Sequence, residues 1–94
     1  GFLYGRGRAF DLNGQPEVAT AFFQEAAAQD PQFAMKLTQM AQVLFDRGRS
    51  EEALRRLRHA RMGNPRYEKA DRLTAAILKQ TSGTPETKAA LIEP

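Results

Sequence analysis

Apolar residues recur at helical spacing in five stretches, separated by breaks of three to five residues. Residues 3–13 read as a helix that stops at Asn13-Gly14, a pair suited to a left-handed cap. Pro16 suits the first turn of the next helix, 16–29, where Val18, Ala19, Phe22, Phe23 and Ala26 share a face until Asp30-Pro31 breaks the pattern. In 32–47 the stripe is Phe33, Leu37, Met40, Ala41 and Leu44, ended by Arg47-Gly48. Ser50 is a good N-cap, Glu51 and Glu52 favour the positive end of the dipole, and 50–63 turns Ala53, Leu54, Leu57 and Ala60 inward. After Gly63-Asn64-Pro65, residues 66–81 place Tyr67, Ala70, Leu73, Thr74, Ile77 and Leu78 on one side. Thr81-Ser82-Gly83 reads as a loop, and Thr84-Pro85 as the start of a short helix to about residue 92. No stretch alternates with period two for long enough to be a strand. Short breaks make neighbouring helices antiparallel, so the pattern predicts an all-α chain of helix pairs.

One interval relates these stretches. Gly14 returns as Gly48, Ala19 as Ala53, Ala26 as Ala60 and Pro31 as Pro65, each 34 residues later and without a gap. Similar residues follow the same shift: Leu3 and Leu37, Gly7 and Ala41, Phe10 and Leu44, Phe23 and Leu57, Phe33 and Tyr67. Large stays large and small stays small, as a stack of like units requires.

At 94 residues, 41% hydrophobic and 27% charged, the chain has an ordinary globular composition, and stacking spares it the need for one large core. It has no cysteine, so disulfides and thiolate sites are excluded. No apolar run approaches the roughly 20 residues of a membrane span. The chain begins with Gly1, which points to a processed chain or a fragment of a longer protein. The net charge of +3 is concentrated in residues 46–72, with nine basic and five acidic side chains; residues 1–45 carry three and four.

These residues resemble a tetratricopeptide repeat, whose pattern is Trp-x₂-Leu-Gly-x₂-Tyr, then Ala-x₃-Phe, then Pro. The first unit offers Leu3, Arg6, Gly7, Phe10, Ala19, Phe23 and Pro31; the second offers Leu37, Met40, Ala41, Leu44, Ala53, Leu57 and Pro65. Arg6 departs from an apolar position, as expected if nothing packs in front of the first helix. The third unit is degraded: Ala75 and Leu78 fit, but Gly is displaced to Gly83 and Thr87 replaces the packing Ala. The resemblance implies a right-handed superhelical stack. It would hold repeat one at 1–33, repeat two at 34–67, and a half repeat or cap at 68–94.

It also implies protein binding on a concave surface made by the first helix of each pair. Mapped onto this chain, that groove holds Tyr4, Arg8, Asp11 and Leu12; then Thr38, Gln42, Phe45 and Asp46, with Met35 at the edge; then Lys69, Arg72, Ala76 and Lys79. Its cations and apolar anchors suit a peptide with acidic groups or a free C-terminus. A subset of the family clamps chaperone C-termini with Lys and Asn residues. Most of that set is missing here, with Leu73 where an Arg is needed, so chaperone binding is not predicted.

Catalysis is not predicted either. The lone histidine, His59, is expected on an outer, exposed face with no ligand or acid–base partner at spacing, and no cofactor or metal is expected. Arg47, Arg49, Arg55, Arg56, Arg58, Arg61 and Arg66 form a dense cluster that could meet nucleic acid. No aromatic is interleaved among them, and Glu51 and Glu52 stand four residues before Arg55 and Arg56, so a self-paired, solvated helix is the stronger reading. Self-association through exposed ends of the stack is the third class. The chain is expected to be a soluble, non-enzymatic scaffold, with the cytoplasm favoured over other compartments.

Overall fold

The computed structural model describes residues 2–92, with side chains described for residues 2–81. The described residues form five helices and no strand: α1 (Phe2–Leu12), α2 (Pro16–Gln29), α3 (Phe33–Asp46), α4 (Ser50–Gly63) and α5 (Glu68–Ile92).

The 34-residue interval is written into the backbone as well as the side chains. Gln15 N donates to Phe10 O and Arg49 N to Leu44 O, both at 2.9 Å. Gly14 N and Gly48 N donate to Asp11 O and Phe45 O, and the two glycines carry φ of 77° and 81°. Glycine is needed there because a Cβ is disfavoured in the left-handed region. The Asp30 and Asn64 turns also correspond. Each residue's backbone N–H closes the preceding helix, and each side chain accepts from the amide two residues on.

Burial follows the repeat too. Ala19 and Ala53, Phe23 and Leu57, Ala26 and Ala60 are all buried, with Ala41, Leu37, Phe33, Ala34, Ala70 and Ile77 completing the core. Val18, Met40 and Leu78, although on the apolar stripes, remain substantially exposed.

The two steps of the stack differ. At the second, α5 rests on both α3 and α4. At the first, α2 packs chiefly on α4 and barely touches α3, while α1 pairs with α2 and makes no backbone approach to α3. Gly63 makes that step possible. A Cβ there would lie 2.8 Å from the Phe23 carbonyl oxygen and 2.5 Å from the Phe33 ring. Gly7 does the same for α1, since its Cβ would meet the Phe23 ring at 2.5 Å.

Two local expectations are corrected. Ser50 is the first residue of α4, not its cap: the cap is Arg49, with no side-chain bond. Ala53 N already donates to Arg49 O, so the chain is helical before the hydroxyl could reach a free amide. The loop expected at Thr81-Ser82-Gly83 is also absent, because α5 runs unbroken through it and takes in the short helix expected from 85 to 92. Ser and Gly lower helix propensity without removing a backbone bond, so neither forces an end unless the chain gains burial by turning back. The Thr87 side chain lies outside the described residues.

Two substitutions test this packing. Gly63→Ala forces a methyl against backbone and is expected to destabilise by about 1–3 kcal/mol. Gly5→Ala, in a helix and with nothing within 4 Å of its Cβ, is expected to stabilise by about 0.5–1 kcal/mol. Urea melts of the two variants should move in opposite directions. In a second comparison, Ala53→Leu overpacks a fully buried site at a cost of about 1–3 kcal/mol, whereas Arg55→Leu on the exposed face stays within about 0.5 kcal/mol. Equal losses at 53 and 55 would contradict the register.

Candidate functional site

The residues predicted for one groove occupy two separate places. Four of those on α3 and α5 come together, while Phe45 and Lys79 lie outside the cleft. Thr38, Gln42, Lys69 and Arg72 line a cleft of about 440 Å³ with Met35, Gln39, Tyr67 and Leu73. Thr38 is held by its hydroxyl donating to Ala34 O at 2.8 Å, and Gln42 by its amide donating to Asp46 Oδ1 at 2.9 Å. Arg72 pairs with Glu68, one turn earlier, at 3.0 Å. Lys69 makes no ion pair among the described residues. The cleft therefore joins an apolar wall of Met35, Tyr67 and Leu73 to two cations at an open rim. Gln39, Tyr67 and Leu73 were absent from the predicted set. Gln39 sits beside Thr38, and the other two were assigned to the packing stripe, whose edge also forms a wall of the cleft.

The residues on α1 face elsewhere. Tyr4 lines a different hollow of about 340 Å³, between the start of α1 and the turn from α2 into α3. Its hydroxyl lies 2.9 Å from His59 Nδ1 and accepts from Arg56 at 3.2 Å. Asp11 Oδ2 accepts from Arg58 at 2.6 Å and lies 3.0 Å from His59 Nε2. Arg8 extends over the Tyr4 ring, 5.7 Å from its centre, and does not line the α3–α5 cleft, so it does not face Arg72 across Gln42. Leu12 is 74% exposed at the end of α1. Phe45 is half-buried and packs against the core, and Lys79 is exposed on α5.

His59 reverses its expectation. It is 2% exposed, with its ring 4.7 Å from Phe23 and 5.6 Å from Tyr4. Because α2 packs on α4, the face of α4 that carries His59 is covered by α1 and α2. Burial pushes its pKa below that of an ordinary histidine, with Asp11 opposing the shift. The hydrogen bond from Arg58 is the main reason the Asp11 carboxyl is held below its usual range. Burial raises the Tyr4 hydroxyl, with Arg56 opposing.

Three of the clustered arginines, Arg56, Arg58 and Arg61, reach other helices, and Arg49, the cap residue, pairs within α4. Arg49 pairs with Glu52, Arg58 with Asp11, and Arg61 with Asp71, and Arg56 donates to Tyr4. The expected pairs of Glu51 with Arg55 and Glu52 with Arg56 do not form: Glu52 is taken by Arg49 at the start of the same helix, and Arg56 reaches Tyr4 of α1. Among the described residues no group of three His, Cys, Asp or Glu could hold a metal ion, and no helix is long and apolar enough to cross a membrane.

No curated protein and no solved structure matches the chain. A family model described as tetratricopeptide repeat matches residues 12–77, from the end of α1 into α5. Repeats of this kind generally mediate protein–protein interaction and are typically not enzymes. With most of the chain matched, and the 34-residue interval present in sequence, turns and core, the chain belongs to the tetratricopeptide repeat family.

Proposed function

We propose that this chain is a non-enzymatic scaffold that binds a protein segment in the cleft between α3 and α5, as an adaptor or assembly factor. The observation that carries this reading is the pairing of Lys69 and Arg72 with the Met35, Tyr67 and Leu73 wall. Two cations at the edge of an apolar cleft favour a segment with a carboxylate beside an apolar side chain. An apolar wall excludes water and so strengthens the attraction. Repeat one, ending at the α2–α3 turn, would support the cleft from outside, and α5 would begin a third repeat. Nucleic-acid binding is less well supported: four of the seven clustered arginines are already engaged within the fold. Self-association would draw on Met40 and Val43, exposed on α3.

Acidic peptides ending in an apolar residue are expected to bind in the micromolar range, about −8 kcal/mol. The double variant Lys69→Ala, Arg72→Ala should weaken that binding by about 1–3 kcal/mol. Raising salt should weaken it as well. Arg55→Glu with Arg66→Glu should leave it intact, since neither lines the cleft. The measurement is an amide-shift map of the labelled chain, with shifts expected at Thr38, Gln42, Lys69 and Arg72. Shifts confined to α2 and α4, or tight salt-sensitive binding of nucleic acid lost in the Arg55/Arg66 variant, would overturn the proposal.

A further inference from the structure

We propose that His59 is the pin of an acid-sensitive latch: its neutral ring holds α1 against α4, and protonation lets α1 swing away. The link between these helices is narrow. α1 approaches only α2 at backbone distance, and it reaches α4 through side chains alone. Those side chains converge on one ring. His59 bonds Tyr4 through Nδ1 and Asp11 through Nε2, two residues that lie seven apart on the same face of α1.

In the neutral ring every donor meets an acceptor. Arg56 donates to the Tyr4 oxygen, the Tyr4 hydroxyl donates to Nδ1, Nε2–H donates to Asp11, and Arg58 donates to the same Asp11 oxygen. This tautomer is assigned from the network, as the only one that gives each group a partner. A second ring proton breaks the order. Nδ1–H must then donate to the Tyr4 oxygen, which already accepts from Arg56, and the Tyr4 proton must turn away from the ring.

Charge works in the same direction. The groups facing the ring are Tyr4, Arg8 and Asp11 from α1 and Arg56 and Arg58 from α4; α2 presents the uncharged Phe23 ring. Arg8 and Arg58 oppose a positive charge on the ring, Arg56 occupies the Tyr4 hydroxyl, and the one carboxylate, Asp11, is already shared with Arg58. A new cation in a site 2% exposed is favoured by Asp11, but the loss of its hydration outweighs that gain. It recovers water when α1 lifts, and lifting uncovers the fully buried Phe23 ring.

The sign follows. A histidine whose pKa is lower in the docked state favours docking when neutral. That contribution is complete above the pKa of an uncovered histidine, about 6.5, and is lost as pH falls through the docked value. The Asp11 contribution is present above the ordinary carboxylate value and is lost only as pH falls through its depressed pKa. His59 is the only histidine in the chain, which isolates its effect.

The test is proton NMR and amide exchange on the 94-residue chain between pH 7.5 and 5.0. The His59 Cε1–H signal should titrate with a midpoint below about 6.5. Protection of the bonded amides of α1, corrected for intrinsic exchange, should fall by about tenfold for each unit by which that midpoint is depressed. Amides of α4 at Ala53, Leu57 and Ala60 should keep theirs. In His59→Gln, which cannot gain a proton, the protection of α1 should no longer depend on pH. A midpoint at or above 6.5, unchanged α1 protection in the unaltered chain, loss of α1 and α4 together, or a wild-type pH response in His59→Gln would each overturn the latch. If His59→Gln fails to fold, the midpoint and exchange of the unaltered chain decide the matter without it.

Discussion

The first half of the molecule is assembled around one side chain, Phe23. Its ring is fully buried. It lies under Gly7 of α1, 5.5 Å from the Tyr4 ring, 6.3 Å from Phe33 and 4.7 Å from His59. Four helices therefore share a single aromatic contact surface. Burying such a ring contributes about 1.5–3 kcal/mol, and the cavity left by its removal would raise the cost further. Each neighbour must also be shaped to admit it. Gly7 is a glycine because the ring occupies the space of its Cβ, and Gly63 is one because the Phe23 backbone lies where its Cβ would be.

Repetition made the packing legible from the residues alone. Ala19, Ala53, Phe23, Leu57, Ala26 and Ala60 were identified by the interval of 34 and are buried as that register requires. The turns were legible for the same reason, since Asn13-Gly14 and Arg47-Gly48 adopt one backbone solution twice. The choice of neighbour in the first step was not legible. A repeat specifies which face of a helix is apolar, but not which of two nearby apolar faces it meets. That choice rests on positions where the copies differ. His59 corresponds to Glu25, Arg56 to Phe22 and Gly63 to Gln29. Reading His59 as a surface residue followed from assuming that the two steps are equivalent.

The same differences explain why the predicted groove divides. A continuous inner surface requires α1 to lie beside α3 as α3 lies beside α5, and α1 instead pairs with α2 and reaches α4 through side chains. Tyr4 and Asp11 then face a polar seam, while Thr38 and Gln42 keep company with Lys69 and Arg72. Of the residues predicted for the groove, only Thr38, Gln42, Lys69 and Arg72, with Met35 from its edge, share the cleft, because α3 and α5 pack on one another.

Tyr4 and Thr38 occupy one repeat position and show how a single exchange changes a junction between helices. At the first step the position holds a large aromatic, which fills the space between helices and carries a hydroxyl out to His59. At the second it holds a small residue whose hydroxyl is spent on its own helix, at Ala34 O. A tyrosine there would project into the space between α3 and α5, whereas threonine leaves a cleft. Tyr4 reaches across to join the first helix pair to α4, whereas Thr38 stops short and leaves the cleft proposed above for a partner segment. The repeat thus supplies the frame, and departures from it decide which junction is closed and which stays open.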